Sequence, residues 1–214
     1  MDAPLAMPLP KLSFDCPVSL VWRVAARYAE AHRRYHDWTH VLSCFGARDM
    51  LTELRSPEVD LTILFHDAIY EPFALDNEVR SAELLVAEGR QAWIPDPVLQ
   101  AAQRLVLATA HHDAGSHDDG GYDAVEACIV VDADLSILGS DAATFDLYER
   151  KVREEFAGLD SATFAAGRSQ VLRSFLGRPC IYATRRGRRL WESRARENLE
   201  RSLSDLARDR VIRP

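Results

Sequence analysis

The stretch Leu61-Thr62-Ile63-Leu64-Phe65-His66-Asp67-Ala68-Ile69-Tyr70 is an apolar run that ends in an imidazole and a carboxylate. Ionisable residues rarely enter core segments unless they are paired or bind a metal. An upstream histidine, His40, and a downstream acidic pair, Asp132 and Asp134, interrupt two further apolar segments. Three interrupted segments predict that their imidazoles and carboxylates converge on one cation.

The apolar run is predicted to be helical, because Ser56-Pro57-Glu58 before it is a typical helix start. This helix is expected to run from Glu58 to about Ala68. Apolar residues at three- and four-residue spacing predict another helix from Val18 onward. Further helices are predicted at about 38–54, 77–88 with Asp76 as its cap, 95–112, 122–138, 141–156, 161–176 and 187–208. No repeat and no strand alternation long enough for a sheet is present, so the predicted fold is all-α.

The bulk composition predicts one soluble globular domain. The chain has 214 residues, 47 % hydrophobic and 28 % charged, and a net charge of −7, which argues against binding to polyanions. Residues 1–17 are proline-rich and are expected to form an extended lead-in to a single helical domain at 18–214. No stretch approaches the roughly 20 apolar residues that a membrane span needs. The N-terminus lacks the pattern of a signal peptide.

The four cysteines lie far apart and form no Cys-x-x-Cys pair. This spacing argues against a disulfide framework or a structural zinc cluster, and it favours a reducing cytoplasm. Free cysteine is most often a buried core residue, so buried thiols are expected.

Two histidines, His40 and His66, and two carboxylates, Asp67 and one of Asp132 or Asp134, give a mixed nitrogen and oxygen donor set. Such a set suits one divalent ion of Mn, Fe, Ni, Co, Zn or Mg, and it contains no thiolate to favour structural zinc. Four protein ligands on a metal that accepts six leave positions for water and substrate. A water bound there has a lowered pKa and can serve as a nucleophile.

The ordered set resembles the four-ligand signature of the HD superfamily of metal-dependent phosphohydrolases, and in particular a bacterial family of predicted phosphohydrolases of this length. The matching segments extend from Trp22 over nearly all of the remaining chain. They are Tyr35-His36, Thr39-His40-Val41, 65–72, Asp76-Asn77-Glu78 with Ser81-Ala82, His111-His112, 132–139, Gly167-Arg168 with Val171-Leu172, Ile181-Tyr182, and Ala195-Arg196 with Asn198-Leu199.

The resemblance implies a single-domain helical bundle of the HD type, with His40, His66, Asp67 and Asp134 as metal ligands. Asp134 is preferred to Asp132 because the superfamily ligand is followed by one residue and then an apolar helix. Asp132 is expected to cap or orient instead. The resemblance implies metal-dependent hydrolysis of phosphate esters and no particular substrate. The leading hypothesis is that the substrate is a nucleotide or another small phosphate ester, with that phosphorylated compound as the partner and a homo-oligomer left open.

Several polar residues are candidates for contacting substrate or moving protons. Glu78 is favoured over Glu71 as the proton donor, and it forms with Asp67 the predicted catalytic pair. Arg80 is a candidate phosphate ligand, because a guanidinium fork matches phosphate geometry. His111 and His112 end a helix and could contact phosphate or ligate a second metal.

Two other functions remain open from the sequence. With His111 and His112 as additional ligands, the site would resemble that of dinuclear phosphodiesterases or oxygenases of the superfamily. Alternatively, the chain is a metal-stabilised binding or regulatory module without turnover. The arginine-rich segment from Arg178 onward has an apolar stripe, including Trp191 and Leu199, so it is interpreted as a docking helix and nucleic-acid binding is not expected.

Overall fold

The fold consists of helices packed around one short central helix. The computed structural model describes residues 8–110 and 122–212, and these ranges contain no strand. The predicted all-α class is therefore confirmed. The helices are α1 (Val18–Arg27), α2 (Trp38–Leu51), α3 (Pro57–Phe65), α4 (Asn77–Gln91), α5 (Asp96–Thr109), α6 (Tyr122–Asp134), α7 (Ala142–Glu155), α8 (Ser161–Leu176) and α9 (Arg185–Ile212), and a 3₁₀ segment, Leu135–Gly139, follows α6.

Capping residues set most of the helix starts. Ser56 Oγ accepts a hydrogen bond from the amide of Val59 at 3.2 Å, and Pro57 occupies the first turn of α3, as predicted. Asp37 accepts from the first amides of α2, and Asp160 does the same for α8. The predicted cap Asp76 precedes α4, but its side chain accepts no hydrogen bond from the described helix. Its carboxylate lies 3.8 Å from the guanidinium of Arg80 instead.

Several helices end a few residues away from their predicted ends, and two of these differences fall beside a predicted metal ligand. Helix α3 ends at Phe65 instead of Ala68, so His66 and Asp67 lie in a turn beyond it. The helix predicted to reach Leu138 changes at Asp134 into the 3₁₀ segment.

Helix α3 lies at the centre of the core, and all of its residues from Val59 to Phe65 are buried. It packs against α5, α6, α4, α2 and α1. A helix that is apolar on every side must be enclosed by other elements. Its C-terminal end therefore delivers His66 into the protein interior, where His66 is 3 % exposed.

Helix α9 packs along the 3₁₀ segment and α8. This agrees with the docking helix that its apolar stripe predicted. Trp191, Ala195 and Leu199 are buried along it. Asn198 donates to the carbonyls of Leu138 and Ser140 at 2.9 and 3.0 Å, which fixes the chain just after Asp134. None of the described helices combines the length and the apolar character that crossing a membrane requires.

The described part of the lead-in, residues 8–17, is non-helical, as predicted, and it is held to the core. Trp38 Nε1 donates to the carbonyl of Pro8 at 3.0 Å, and Leu12 and Phe14 pack against the core cluster. The expectation of buried thiols was wrong for most cysteines. All four are free, but only Cys44 is buried, and Cys180 is exposed.

Candidate metal centre

Two imidazole nitrogens and two carboxylate oxygens from three parts of the chain meet at one point. His40 Nε2 and His66 Nε2 are 3.0 Å apart. Asp134 Oδ1 lies 3.2 Å from the first nitrogen and 3.7 Å from the second, and Asp67 Oδ2 lies 3.7 and 3.2 Å from them. Ligands at about 2.1 Å from a metal and at right angles to one another are about 3.0 Å apart. The cluster could therefore hold a metal ion.

Cys44 is a fifth candidate ligand, which the sequence reasoning missed. One donor atom from each of His40, Cys44, His66 and Asp134 lies within 4.8 Å of the other three. Cys44 Sγ is, however, almost equally distant from the two nitrogens of His40, at 3.8 Å from Nδ1 and 3.7 Å from Nε2. The sulfur therefore lies beside the ring and away from the direction of the Nε2 lone pair. Asp67 Oδ2 lies 3.7 Å from His40 Nε2 and 3.2 Å from His66 Nε2, so Asp67 stays in the set of candidate ligands.

The electrostatics of the cluster favour a positive charge at its centre. Burial alone would lower the pKa of His66, but the neighbouring charge and hydrogen bond of Asp67, with Asp134, raise it to about 9. Burial alone would raise the pKa of Asp67, but the charge of His66 holds it well below its usual range. Because His66 Nδ1 donates to the carbonyl of Ile63 at 3.0 Å, its Nε2 is left to face the cluster. That arrangement is common in metal-ligating histidines.

The buried guanidinium of Arg33 shapes the turn that carries Asp67. It donates to the carbonyl of Asp67 at 2.8 Å, to that of His36 at 3.0 Å and to that of Ala68 at 3.1 Å. The carbonyls of Asp67 and Ala68 lie past the end of α3, where helical partners are absent, and that of His36 lies in the loop before α2. By accepting from Arg33 they let the chain leave the helix, so His66 and Asp67 reach the same point although they are adjacent in sequence.

The two aspartates of the downstream pair have different roles in the structure, in agreement with the preference for Asp134. Asp134 lies in the cluster, whereas Asp132 is fully buried and faces α9. Asp132 accepts from the amides of Ala183 and Thr184 at 2.7 and 2.8 Å and from Thr184 Oγ1 at 2.6 Å. It therefore holds the segment that leads into α9, which is the capping and orienting role predicted for it.

Replacing Asp132 by alanine is expected to destabilise the protein while leaving its metal content unchanged. The substitution leaves three partly buried donors without an acceptor, at a cost of about 1–3 kcal/mol in unfolding free energy. Urea denaturation and elemental analysis of the same preparation would measure both effects. A folded Asp132→Ala protein without metal would contradict the assignment of Asp134 over Asp132.

Beside the cluster, His36 is paired with a buried glutamate that the sequence reasoning did not identify. His36 Nδ1 donates to Glu155 Oε2 at 2.7 Å. The other oxygen of Glu155 accepts from the amides of Arg34, Tyr35 and His36 at 2.8 to 3.0 Å. The ring of His36 contacts that of His40 edge-on, with centroids 5.8 Å apart. Glu155 thus fixes the loop that leads to His40.

The other predicted site residues lie outside the cluster. Glu78 is half-buried in the first turn of α4, and Arg80 forms a surface salt bridge of 2.9 Å with Glu71. No hydrogen bond or ion pair joins Glu78 or Arg80 to the described residues of the cluster. The predicted pair His111 and His112 lies outside the described residues. The roles proposed for these four residues remain predictions.

Comparison with known proteins adds no assignment to this geometry. The chain matches no protein-family model, no curated protein and no solved structure. Function must therefore be argued from the arrangement of its own residues, and the resemblance to the HD superfamily stays a prediction.

Proposed function

We propose that this chain is a metal-dependent phosphohydrolase that acts on a nucleotide or another small phosphate ester. The observation that carries the proposal is the convergence of His40, His66, Asp67 and Asp134 at one point. The two carboxylates retain 17 and 14 % side-chain exposure, so this point is reachable from solvent although both imidazoles are buried. A structural metal site is usually closed, whereas a catalytic one keeps an open position.

The four side chains would hold one divalent ion, through nitrogen and oxygen donors only. When bound, such an ion supplies positive charge that polarises a phosphoryl group and lowers the pKa of water. The protein residues around it set its position. Arg33 and Glu155 fix the two loops that carry Asp67 and lead to His40, so the donors are held in place before substrate arrives.

The proposed acid Glu78 is carried by a helix start that is docked on the turn after Asp67. Asn77 Oδ1 accepts from the amide of Glu71 at 3.1 Å, and Asn77 Nδ2 donates to the carbonyl of Glu71 at 2.9 Å. Ser81 Oγ accepts from the amide of Ile69 at 3.0 Å. These contacts hold the first turn of α4 against the metal-site turn, which supports Glu78 as the group that delivers a proton to the leaving oxygen.

The proposal is tested by assaying phosphate release by the purified protein. The panel contains 4-nitrophenyl phosphate and the nucleoside 5′-monophosphates, each with Mn²⁺, Fe²⁺, Ni²⁺, Co²⁺, Zn²⁺ or Mg²⁺ supplied. Turnover by wild type with at least one ion, and its loss in Asp134→Ala, is expected. Glu78→Gln should lower kcat by about 100-fold or more, the usual contribution of a general acid, while retaining metal. A metal-loaded wild type that hydrolyses none of these esters would contradict the proposal.

A further inference from the structure

A cleft of about 520 Å³ opens beside the cluster, between α2, the 3₁₀ segment, α7 and α9. His40 and Cys44 line it on the side of the cluster, and Met50 lies one to two turns further along the same helix. Its volume falls in the range of small-molecule sites. Of the residues assigned to the proposed phosphate chemistry, only His40 lines this cleft. The proposed function therefore does not account for the cleft.

The charge of this cleft is opposite to that of the protein. Lys151 and Arg194 line it, and no carboxylate does so among the described lining residues, although the chain as a whole carries a net charge of −7. Lys151 Nζ forms a salt bridge of 3.7 Å with Asp37 Oδ2, at the start of α2, which places this ammonium at the end of the cleft near His40 and offsets part of its charge. A positive cleft in a negative protein attracts an anion by its local field.

Arg194 is exposed on α9, one turn beyond Trp191. Within the described chain its guanidinium donates at 3.4 Å to the carbonyl of Leu190 and forms no salt bridge. Most of its donors are therefore available to a ligand. Arginine is well suited to this role, because its planar donors match a carboxylate, sulfonate or phosphate.

The walls of the cleft between these two cations are mostly apolar. Trp191 is buried, Ile137 packs against the core, and Met50 and Leu147 each expose 46 % of their surface. Tyr35 and Tyr148 add two aromatic side chains. Flat apolar groups should bind most favourably between such walls, since burial of apolar and aromatic surface is the main favourable contribution to the binding free energy.

We propose that this cleft binds the leaving-group part of the substrate, as an apolar, ring-containing body that carries an anionic group of its own. Lys151 and Arg194 recognise that anion, and Trp191, Ile137 and Met50 cover the body. This inference rests on the proposed function in one respect, namely that the bound molecule is part of a phosphate ester that reacts at the metal site. Binding of an anionic aromatic molecule to the cleft can be measured with no turnover at all.

A large side chain in place of Gly46 would fill the cleft without disturbing the cluster. Gly46 lies in the middle of α2 and lines the cleft, and a Cβ built on it would meet no atom within 4 Å. A large side chain can therefore enter the cleft from this position. Gly167 in α8 is a matched control, because it is also helical with nothing within 4 Å and does not line the cleft.

The test is a fluorescence titration with 1-anilinonaphthalene-8-sulfonate and with its uncharged analogue N-phenyl-1-naphthylamine. Wild type, with or without metal, is expected to bind one anionic probe per chain. Gly46→Phe should abolish this binding, and Gly167→Phe should leave it unchanged. The double variant Lys151→Met/Arg194→Met should weaken binding of the anionic probe about tenfold or more while retaining the neutral one, because each charged contact is worth about a factor of ten.

The outcomes separate this inference from the proposed function. Equal loss of both probes in the double variant, or unchanged binding in a Gly46→Phe protein that melts like wild type, would overturn it. If phosphate esters are hydrolysed, the anionic probe should compete with substrate in wild type and not in Gly46→Phe. If no ester is hydrolysed, the binding result still decides whether the cleft selects aromatic anions.

Discussion

Asp67→Ala is expected to remove the metal ion from this protein, whereas Cys44→Ala is expected to leave it bound. The reason is the geometry of the cluster. Asp67 Oδ2 lies 3.2 Å from His66 Nε2 and faces the point where the imidazoles meet. Cys44 Sγ lies beside the ring of His40, and burial with the charges of Asp134 and Asp67 raises the pKa of its thiol well above the usual value.

The measurement is elemental analysis after reconstitution with Mn²⁺ or Fe²⁺ and removal of free metal. About one ion per chain is expected in wild type and in Cys44→Ala. Loss of a supporting contact around a metal typically weakens binding 10- to 100-fold, so loss of a direct ligand should weaken it at least about 100-fold. His66→Ala serves as a second ligand variant.

The opposite result would change the set of residues assigned as metal ligands. Metal retained in Asp67→Ala and lost in Cys44→Ala would replace a carboxylate by a thiolate, which shifts the preference towards softer ions such as zinc. Two ions per chain in wild type would favour the dinuclear alternative, with ligands outside the described residues. Reconstituting Cys44→Ala and wild type with Co²⁺ adds a check, because a cobalt–thiolate bond gives an absorption band that the variant would lack.

Local signals in the sequence were sufficient for the helices and for the members of the cluster. Ser56-Pro57 predicted the start of α3, and the apolar run after it is buried in the structure. His40, His66 and Asp67 were identified because they interrupt apolar segments, whereas Asp134 was preferred to Asp132 on the resemblance to the HD superfamily. The structure brings all four together. Burial of an ionisable group is costly, so the pattern itself carries information.

The contacts that position these residues were not predictable in the same way. Arg33 reaches the carbonyl of Asp67 across 34 residues, and this contact lies in the turn that follows α3. Such contacts depend on how the helices pack, and the spacing of residues within one segment does not predict that packing. Cys44 was missed because it is one helical turn from His40 and looks like an ordinary core thiol.

Glu155 did leave a signal in the sequence. It ends α7, and a carboxylate at a helix C-terminus is unfavourable because the helix dipole is negative there. A buried acid in that position needs strong partners. Glu155 has five hydrogen bonds, from three loop amides, from His36 Nδ1 and from the hydroxyl of Tyr70 at 3.0 Å.

Glu155→Ala is therefore expected to destabilise the protein more than any other substitution discussed. Burial alone would raise the pKa of Glu155, but the hydrogen bond and charge of His36 and the loop amides lower it to about 2. The carboxylate is thus charged, and its removal leaves a half-buried imidazole and three amides without their acceptor. Breaking a buried ionic pair in this way costs about 3–5 kcal/mol in unfolding free energy.

The neighbouring Glu154 provides the control for this prediction. It is 60 % exposed, and its ion pair with Arg34 is long, at 3.6 Å, so Glu154→Ala should change stability by less than about 0.5 kcal/mol. Urea denaturation of both variants measures the difference. Metal affinity of folded Glu155→Ala should also fall, because the loop that leads to His40 loses its anchor. Equal stability of the two variants would mean that the loop is held by packing alone, and Glu155 would then have no part in positioning the site.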